Sequence, residues 1–429
     1  MRYKIPAQKL FVNNRKKFVS HLKSNSLAVF NSNDIMPTNG DGHMGFKQNS
    51  DLFYLSGIDQ EESILVIFPN AFDKNQQEIL FVKETSDLIK IWEGEKLTKE
   101  KASAISGIKN VMWLKDFPTV FNNLMSQAEN VYLNTNEHLR AHIEVETRDA
   151  RFVKWCREHY PIHRYERSAP VMHKIKAVKE IEEIEMMQKA CDLTERAFRR
   201  VLNFIKPGVL EYEIEAEFLH EFVKNGSRGF AYGPIVASGP NACVLHYVDN
   251  DKQVQAGDVI LLDVGCEYGN YNSDMTRCLP ISGKFTNRQK EVYNAVLHVK
   301  NEAEKLLRPG IYLQEYQKEV GKIMEGELIK LGLIDSTDIK NQDPSWPAYK
   351  KYFMHGTSHF LGIEVHDSGL WTQPVEEGMV FTCEPGIYIP EEGLGIRLED
   401  NLVITNDKPF NLMRNIPILA DEIEDLMNR

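Results

Sequence analysis

Apolar positions recur at three- and four-residue intervals in two separated parts of this chain, and the elements they predict come in the same order both times. In the first part, Ile181, Ile184, Met187, Cys191, Thr194, Phe198, Val201 and Ile205 share one face of a long amphipathic helix. That helix runs into Lys206-Pro207-Gly208-Val209 and then a second helix around Ile214, Phe218 and Phe222. Glu180, Glu182, Glu183 and Glu185 gather at its start and Arg199, Arg200 and Lys206 near its end, as the helix dipole favours. The order returns with a helix over Tyr293 to Leu307, the turn Arg308-Pro309-Gly310-Ile311, and a helix through Val320, Ile323 and Leu328.

Each helix pair is followed by a short apolar run that ends in a carboxylate. Gly257 to Gly265 and Gly378 to Gly386 both fit the pattern G-x-V-x-x-x-[D/E]-x-G, with Asp263 and Glu384 as the acids. After a polar, glycine-containing turn, each is answered by a second strand with another acid, Asp274 in the first case and Glu399 in the second. Two helix-helix-hairpin halves related by an approximate twofold would bring four carboxylates to one centre. Upstream, Ser26 to Phe30, Ser63 to Phe68 and Glu78 to Val82 read as strands alternating with helices, so residues 1–172 are expected to form an α/β domain and residues 173–429 an α+β domain. His159 to Met172, with Pro161 and Pro170, reads as the linker between them. Asp335 to Pro347 reads as a polar surface loop.

Composition narrows the class. With 42% hydrophobic and 26% charged residues the chain is an ordinary globular protein, and its net charge of -11 argues against a nucleic-acid partner. No run approaches the roughly twenty apolar residues that cross a bilayer, and Met1 to Arg15 lacks the apolar core of a secretion signal, so no membrane partner and a cytoplasmic location are expected. The six cysteines show no C-x-x-C spacing and sit in apolar segments, as free thiols do in a reducing compartment.

The chemistry lies in the acids. An ionised carboxylate on an apolar strand is costly unless it is paired or bound to metal, and four together cannot neutralise one another. A pair of divalent cations resolves that cost. His355, His359 and His366 lie within twelve residues between the two hairpins, and one imidazole among carboxylates suits manganese, cobalt, iron or zinc better than calcium. On a straight strand His359 and His366 would face opposite sides, so a bend near Gly362 is needed to bring both to one site. Arg397, two residues before Glu399, shares its face and is placed to pair with the acids, while His246 follows a turn at Gly239-Pro240-Asn241. No G-x-x-x-x-G-K-[ST] loop supports a nucleotide-dependent enzyme, no G-x-S-x-G elbow supports a serine hydrolase, and Cys383 reads as a packing residue.

In combination, these residues resemble the pita-bread metallopeptidases, and among them the Xaa-Pro aminopeptidase (aminopeptidase P) family. The likeness covers nearly the whole chain, from Gln48 to Gly57 in a creatinase-like N-terminal domain to the His355–Asp367, Cys383–Tyr388 and Gly395–Asn401 motifs. It implies that Asp263, Asp274, His359, Glu384 and Glu399 bind two divalent metal ions, manganese first, with Asp274 and Glu399 bridging. It implies catalytic roles for Glu384, His366, His246, His355 and Arg397, and substrate contacts for Tyr388, Tyr232, Asp41 and Trp92, with Asp41 approaching from a neighbouring subunit. The connections His366 to Glu384 and Tyr388 to Gly395 are short for that family.

The activity so implied is release of the N-terminal residue from peptides with proline in second position, by a homo-oligomer (dimer or tetramer). The rival within the fold is a prolidase that accepts only dipeptides. The rival from another class is a pita-bread module that binds peptides or a protein without catalysis, against which the complete ligand set counts.

Overall fold

The computed structural model describes residues 2–429, which divide into two compact units, Ile5–Lys176 and Ala177–Arg429, the second also holding residues 2–4. In the first unit six strands form one mixed sheet. Their order across the sheet is Asn110–Trp113, Glu78–Val82, Ile64–Ile67, Ser26–Asn31, Asn130–Leu133 and Arg164–Arg167. The central Ser26–Asn31 strand is buried at every position, which is why its sequence and that of Ile64–Ile67 are apolar runs with little alternation. One side of the sheet is closed by the helices Phe117–Met125 and Arg148–His159, whose Phe117, Phe121, Phe152 and Trp155 rings meet at centroid separations of 5.1–6.0 Å.

The segment expected as a linker, His159 to Met172, is folded. Arg164–Arg167 pairs in parallel with Asn130–Leu133 as the edge strand, and the helix Ala169–Ala177 follows directly. Its letters, Arg-Tyr-Glu-Arg, disguise a strand because an edge position needs only one face against the core, which Tyr165 supplies. Pro170 is tolerated because it lies in the first helical turn, where no intrahelical N–H is lost.

The second unit shows the repeated order. Helices Ile181–Phe204 and Glu211–Lys224 precede the first hairpin; Asn287–Leu306 and Leu313–Lys330 precede the second. The first helix of each half opens with a capping box: the Glu180 N–H donates to Glu183 Oε2 and the Thr286 N–H to Gln289 Oε1, both at 2.9 Å. Met187, Cys191, Thr194, Phe198 and Val201 line the buried face as expected, but Ile181 is exposed, because the first turn is given to the cap. The polar segment after Ile334 carries a short helix, Ser336–Lys340, because the Asp335 side chain accepts the N–H groups of Thr337 and Asp338. Among the described residues no helix is long and apolar enough to cross a membrane.

The two hairpins differ in detail. Val259–Val264 pairs with Met275–Pro280 over six positions without interruption. Val380–Cys383 pairs with Asp400–Val403 over only four, and the continuing strands Gly386–Ile389 and Leu394–Arg397 form a separate ladder. The break between these ladders releases Glu384 and Glu399 from strand pairing. Gly265 explains the tight return of the first hairpin, since a Cβ there would lie 1.9 Å from Ser273 O.

Candidate metal centre and active site

Asp263 lies one residue from the end of its strand, Asp274 just before the partner strand, Glu384 just after Cys383, and Glu399 just before Asp400. His359 is held beside them by exchange with Thr382: its N–H donates to Thr382 Oγ1 at 3.2 Å, and the Thr382 N–H donates to its carbonyl at 3.0 Å. Asp274, His359 and Glu399 each offer a ligand atom within 4.8 Å of the others, and all three are buried. His359 Nε2 lies 3.5 Å from both Asp274 Oδ2 and Glu384 Oε1. Its Nδ1 is 2.9 Å from Phe360 O, a contact that needs the proton on Nδ1 and so directs Nε2 at the acids. Asp263 joins through Tyr232, whose hydroxyl is 2.6 Å from Asp263 Oδ1 and 2.5 Å from Asp274 Oδ1.

A second layer orients the acids. Arg397 donates from Nη2 to Asp263 Oδ2 at 2.5 Å, from Nε to Thr276 Oγ1 at 3.1 Å and from Nη1 to the Tyr388 hydroxyl at 2.8 Å. With Thr276 Oγ1 accepting from Arg397, its own proton goes to Glu399 Oε2, 2.6 Å away. The Tyr388 hydroxyl, likewise an acceptor from Arg397, must donate to His355 Nε2 at 2.7 Å. His355 Nδ1 is 2.9 Å from Gly356 O and carries the proton. His355 is therefore a neutral acceptor; burial, then Arg397, push its pKa down to about 3.

The donor set fits divalent cations. Four carboxylates face a single guanidinium, an excess of three negative charges when all are ionised. Burial is the largest cause raising the carboxyls of Asp263, Glu384 and Glu399, reinforced by their mutual repulsion and opposed at Asp263 by Arg397. Glu384 is pushed up to about 7. The acids in turn raise the pKa of His359: burial works against its charge, but Asp274 and Glu384 outweigh it. Tyr232 has one proton for two carboxylate oxygens, so it cannot satisfy both acids. Cations at this centre would meet oxygen donors from both hairpins and one imidazole, the set that suits borderline divalent metals.

The remaining expected residues fall into two groups. The chain does turn at Gly362, where its N–H bonds back to Glu364 O, and the His366 and His359 rings meet edge to face at 4.5 Å. His366 itself is exposed, and the Lys179–Asp367 pair, 2.7 Å apart and buried, anchors the residue after it. His246 lies on an exposed turn near enough to His355 for its charge to lower that imidazole's pKa. Asp41 and Trp92 belong to the Ile5–Lys176 unit, Asp41 on an exposed turn and Trp92 on the short helix Asp87–Glu93, 80% exposed. The sequence reading missed Thr276, Thr382 and Asn401. Thr276 was findable, since it shares strand parity with Asp274.

Comparison with known proteins identifies the family. The family model "Metallopeptidase family M24" matches residues 185–406, and "Aminopeptidase P, N-terminal domain" matches residues 11–132. The chain belongs to metallopeptidase family M24, whose members are metal-dependent hydrolases. It is 34% identical to the Xaa-Pro aminopeptidase of Escherichia coli, with 97% of each chain covered. Among solved structures, a putative aminopeptidase P from Bacillus anthracis superposes with a TM-score of 0.90 at 33% identity, covering 98% of both chains. A glutamate-to-alanine variant of Escherichia coli aminopeptidase P in complex with substrate does so with a TM-score of 0.88 at 32% identity, covering 99% of both. The fold is thus that of aminopeptidase P, an N-terminal α/β domain and a C-terminal pita-bread domain.

Proposed function

We propose that this protein is a dinuclear metal-dependent Xaa-Pro aminopeptidase, releasing the N-terminal residue from peptides whose second residue is proline. The observation that carries the reading is the convergence of Asp274, His359 and Glu399, flanked by Asp263 and Glu384, in a chain similar along its whole length to Xaa-Pro aminopeptidases. Asp263, Asp274, His359, Glu384 and Glu399 would hold two divalent ions. When bound, these supply Lewis acidity and lower the pKa of water.

The protein's own residues do the rest. Glu384, 19% exposed and titrating near neutrality, is suited to take a proton from the attacking water and return it to the departing proline nitrogen. Neutral His355, held by Tyr388, can accept a hydrogen bond but not donate one from Nε2, so it serves to orient Tyr388 and Arg397 beside Asp263. His366 and His246, both exposed, are assigned to substrate and to the oxyanion of the tetrahedral intermediate. Tyr232 and Tyr388 are assigned to substrate, and Tyr232 also orients Asp263 and Asp274. Asp41 and Trp92 are assigned to substrate on family likeness.

Manganese is proposed as the metal, because oxygen donors outnumber the one imidazole. A homo-oligomer is proposed from Leu88, Ile91 and Trp92, which expose an apolar face in the unit Ile5–Lys176. A cytoplasmic location is proposed from six unpaired cysteines, five of them buried. Residues 1–172 and 173–429 are proposed as the two domains. The deciding experiment measures cleavage of an Xaa-Pro-Yaa tripeptide, an Xaa-Pro dipeptide and a tripeptide with alanine in second position by manganese-loaded protein. Cleavage of the first with proline required is expected. Cleavage of the dipeptide alone would replace the reading with a prolidase, and none at all would overturn it.

A further inference from the structure

Asp274 and Glu399 come from different hairpins, so their separation depends on how the hairpins are joined. Strand pairing does not join them there: the Val259–Val264 and Met275–Pro280 ladder and the Val380–Cys383 and Asp400–Val403 ladder belong to different sheets. Two side chains cross the gap in opposite directions. Asn401, from the second half, accepts the Asp274 N–H on Oδ1 at 3.0 Å and donates from Nδ2 to the Asp274 carbonyl at 2.7 Å. Arg277, from the first half, donates from Nη1 to the Glu399 carbonyl at 2.6 Å and to its own neighbour Thr276 O at 3.0 Å. Its Nη2 reaches Asp400 Oδ1 at 2.6 Å, and its Nε reaches Pro417 O at 2.9 Å. Neither side chain has any exposure to solvent. Each strap therefore holds the backbone of the other half's acid. Main chain also joins the halves here through the Glu399 N–H to Thr276 O, at 3.1 Å.

We propose that Arg277 and Asn401 are reciprocal positioning residues that set the Asp274–Glu399 separation and with it the affinity for the second divalent ion. The inference rests on the dinuclear reading above and deepens it. The guanidinium matters for its shape: it holds three carbonyls and a carboxylate in fixed directions, which the single nitrogen of lysine cannot do.

The test is calorimetric titration of Mn²⁺ into metal-free wild-type, Arg277→Lys, Asn401→Ser and Arg15→Lys proteins, with kcat and KM for a proline tripeptide at two manganese concentrations. Arg15 is an equally buried arginine on three carbonyls, but in the unit Ile5–Lys176, which supplies neither the four acids nor the imidazole. Arg277→Lys is expected to bind the weaker manganese about 10- to 100-fold less tightly. Its kcat should fall at low manganese and recover at high manganese, with KM for peptide unchanged; Arg15→Lys should lower the melting temperature alone. Asn401→Ser should move affinity in the same direction, and it carries the test if Arg277→Lys does not fold. Unchanged manganese affinity in the straps, or an equal loss in Arg15→Lys, overturns the proposal. Wild-type protein that binds two manganese ions without cleaving peptide would overturn the proposed substrate instead, and the titrations would still decide the straps.

Discussion

Glu399 and Asp400 are adjacent in the chain and both are buried, yet their surroundings drive their carboxyls in opposite directions. Glu399 faces the centre, where burial and the charges of Asp274, Glu384 and Asp263 raise its pKa well above the usual carboxylate value. Asp400, which opens the strand Asp400–Val403, faces the other side, between Arg277 and Lys300, and is lowered, because those two cations outweigh its burial. Strand alternation separates the two environments. On the back face Arg277 and Lys300 balance Asp400 and Glu304, so that cluster is complete as protein. On the front face four acids share one arginine. Burial of charge is common to both faces, and only the imbalance marks the one that takes cations.

This contrast can be broken in several ways. The largest effect is expected on the front face: Asp274→Ala or Glu399→Ala should lower kcat/KM by more than ~10³-fold, with a matching loss of metal content measured on the purified protein. Full activity in either variant would dissolve the front-face reading. On the back face Asp400→Asn should leave two buried cations underpaired and lower stability by ~3–5 kcal/mol, read by urea unfolding. A neutral result would mean that the back cluster is not what balances those charges.

The acids of the front face give a pH dependence that chelated protein should reveal. Glu384 has a folded pKa of about 7 against an ordinary value of 4.5. Its contribution is therefore fully present below about 4.5 and lost as pH rises through about 7. Because the side chain is 19% exposed, a loss of only ~1–3 kcal/mol is expected, and Glu384→Gln should remove that slope. Asp400, being lowered, contributes with the opposite sign: its part is present above 3.8 and lost in acid. The smallest effect belongs to Cys383, which precedes Glu384 and is fully buried with its thiol pushed above the ordinary range by that burial. Cys383→Ala should cost ~1 kcal/mol and leave kcat within about threefold, whereas abolished turnover would make the thiol chemical.

Much of this was legible in the letters. The two G-x-V-x-x-x-[D/E]-x-G runs gave Asp263 and Glu384, because a buried strand ending in an acid is costly without a partner. The bend at Gly362 was required before it was seen, since two histidines seven apart cannot share a straight strand face. Other features were hidden. Arg164–Arg167 is polar in sequence because edge strands bury one face, and Ser336–Lys340 depends on a single capping aspartate. Asn401 and Arg277 looked like ordinary strand residues, because their partners lie 122–127 positions away.

The sequence alone determined the repeated order of elements and the identity of the acids, because periodicity and the cost of an unpaired charge act locally on the chain. It could also order the ligands along each hairpin. Which face each acid occupies, which proton Tyr388 and Thr276 give away, and how far Asp274 stands from Glu399 were decided only by the tertiary structure. Those properties depend on side chains from the two halves meeting across a sheet boundary, and no local pattern records that meeting.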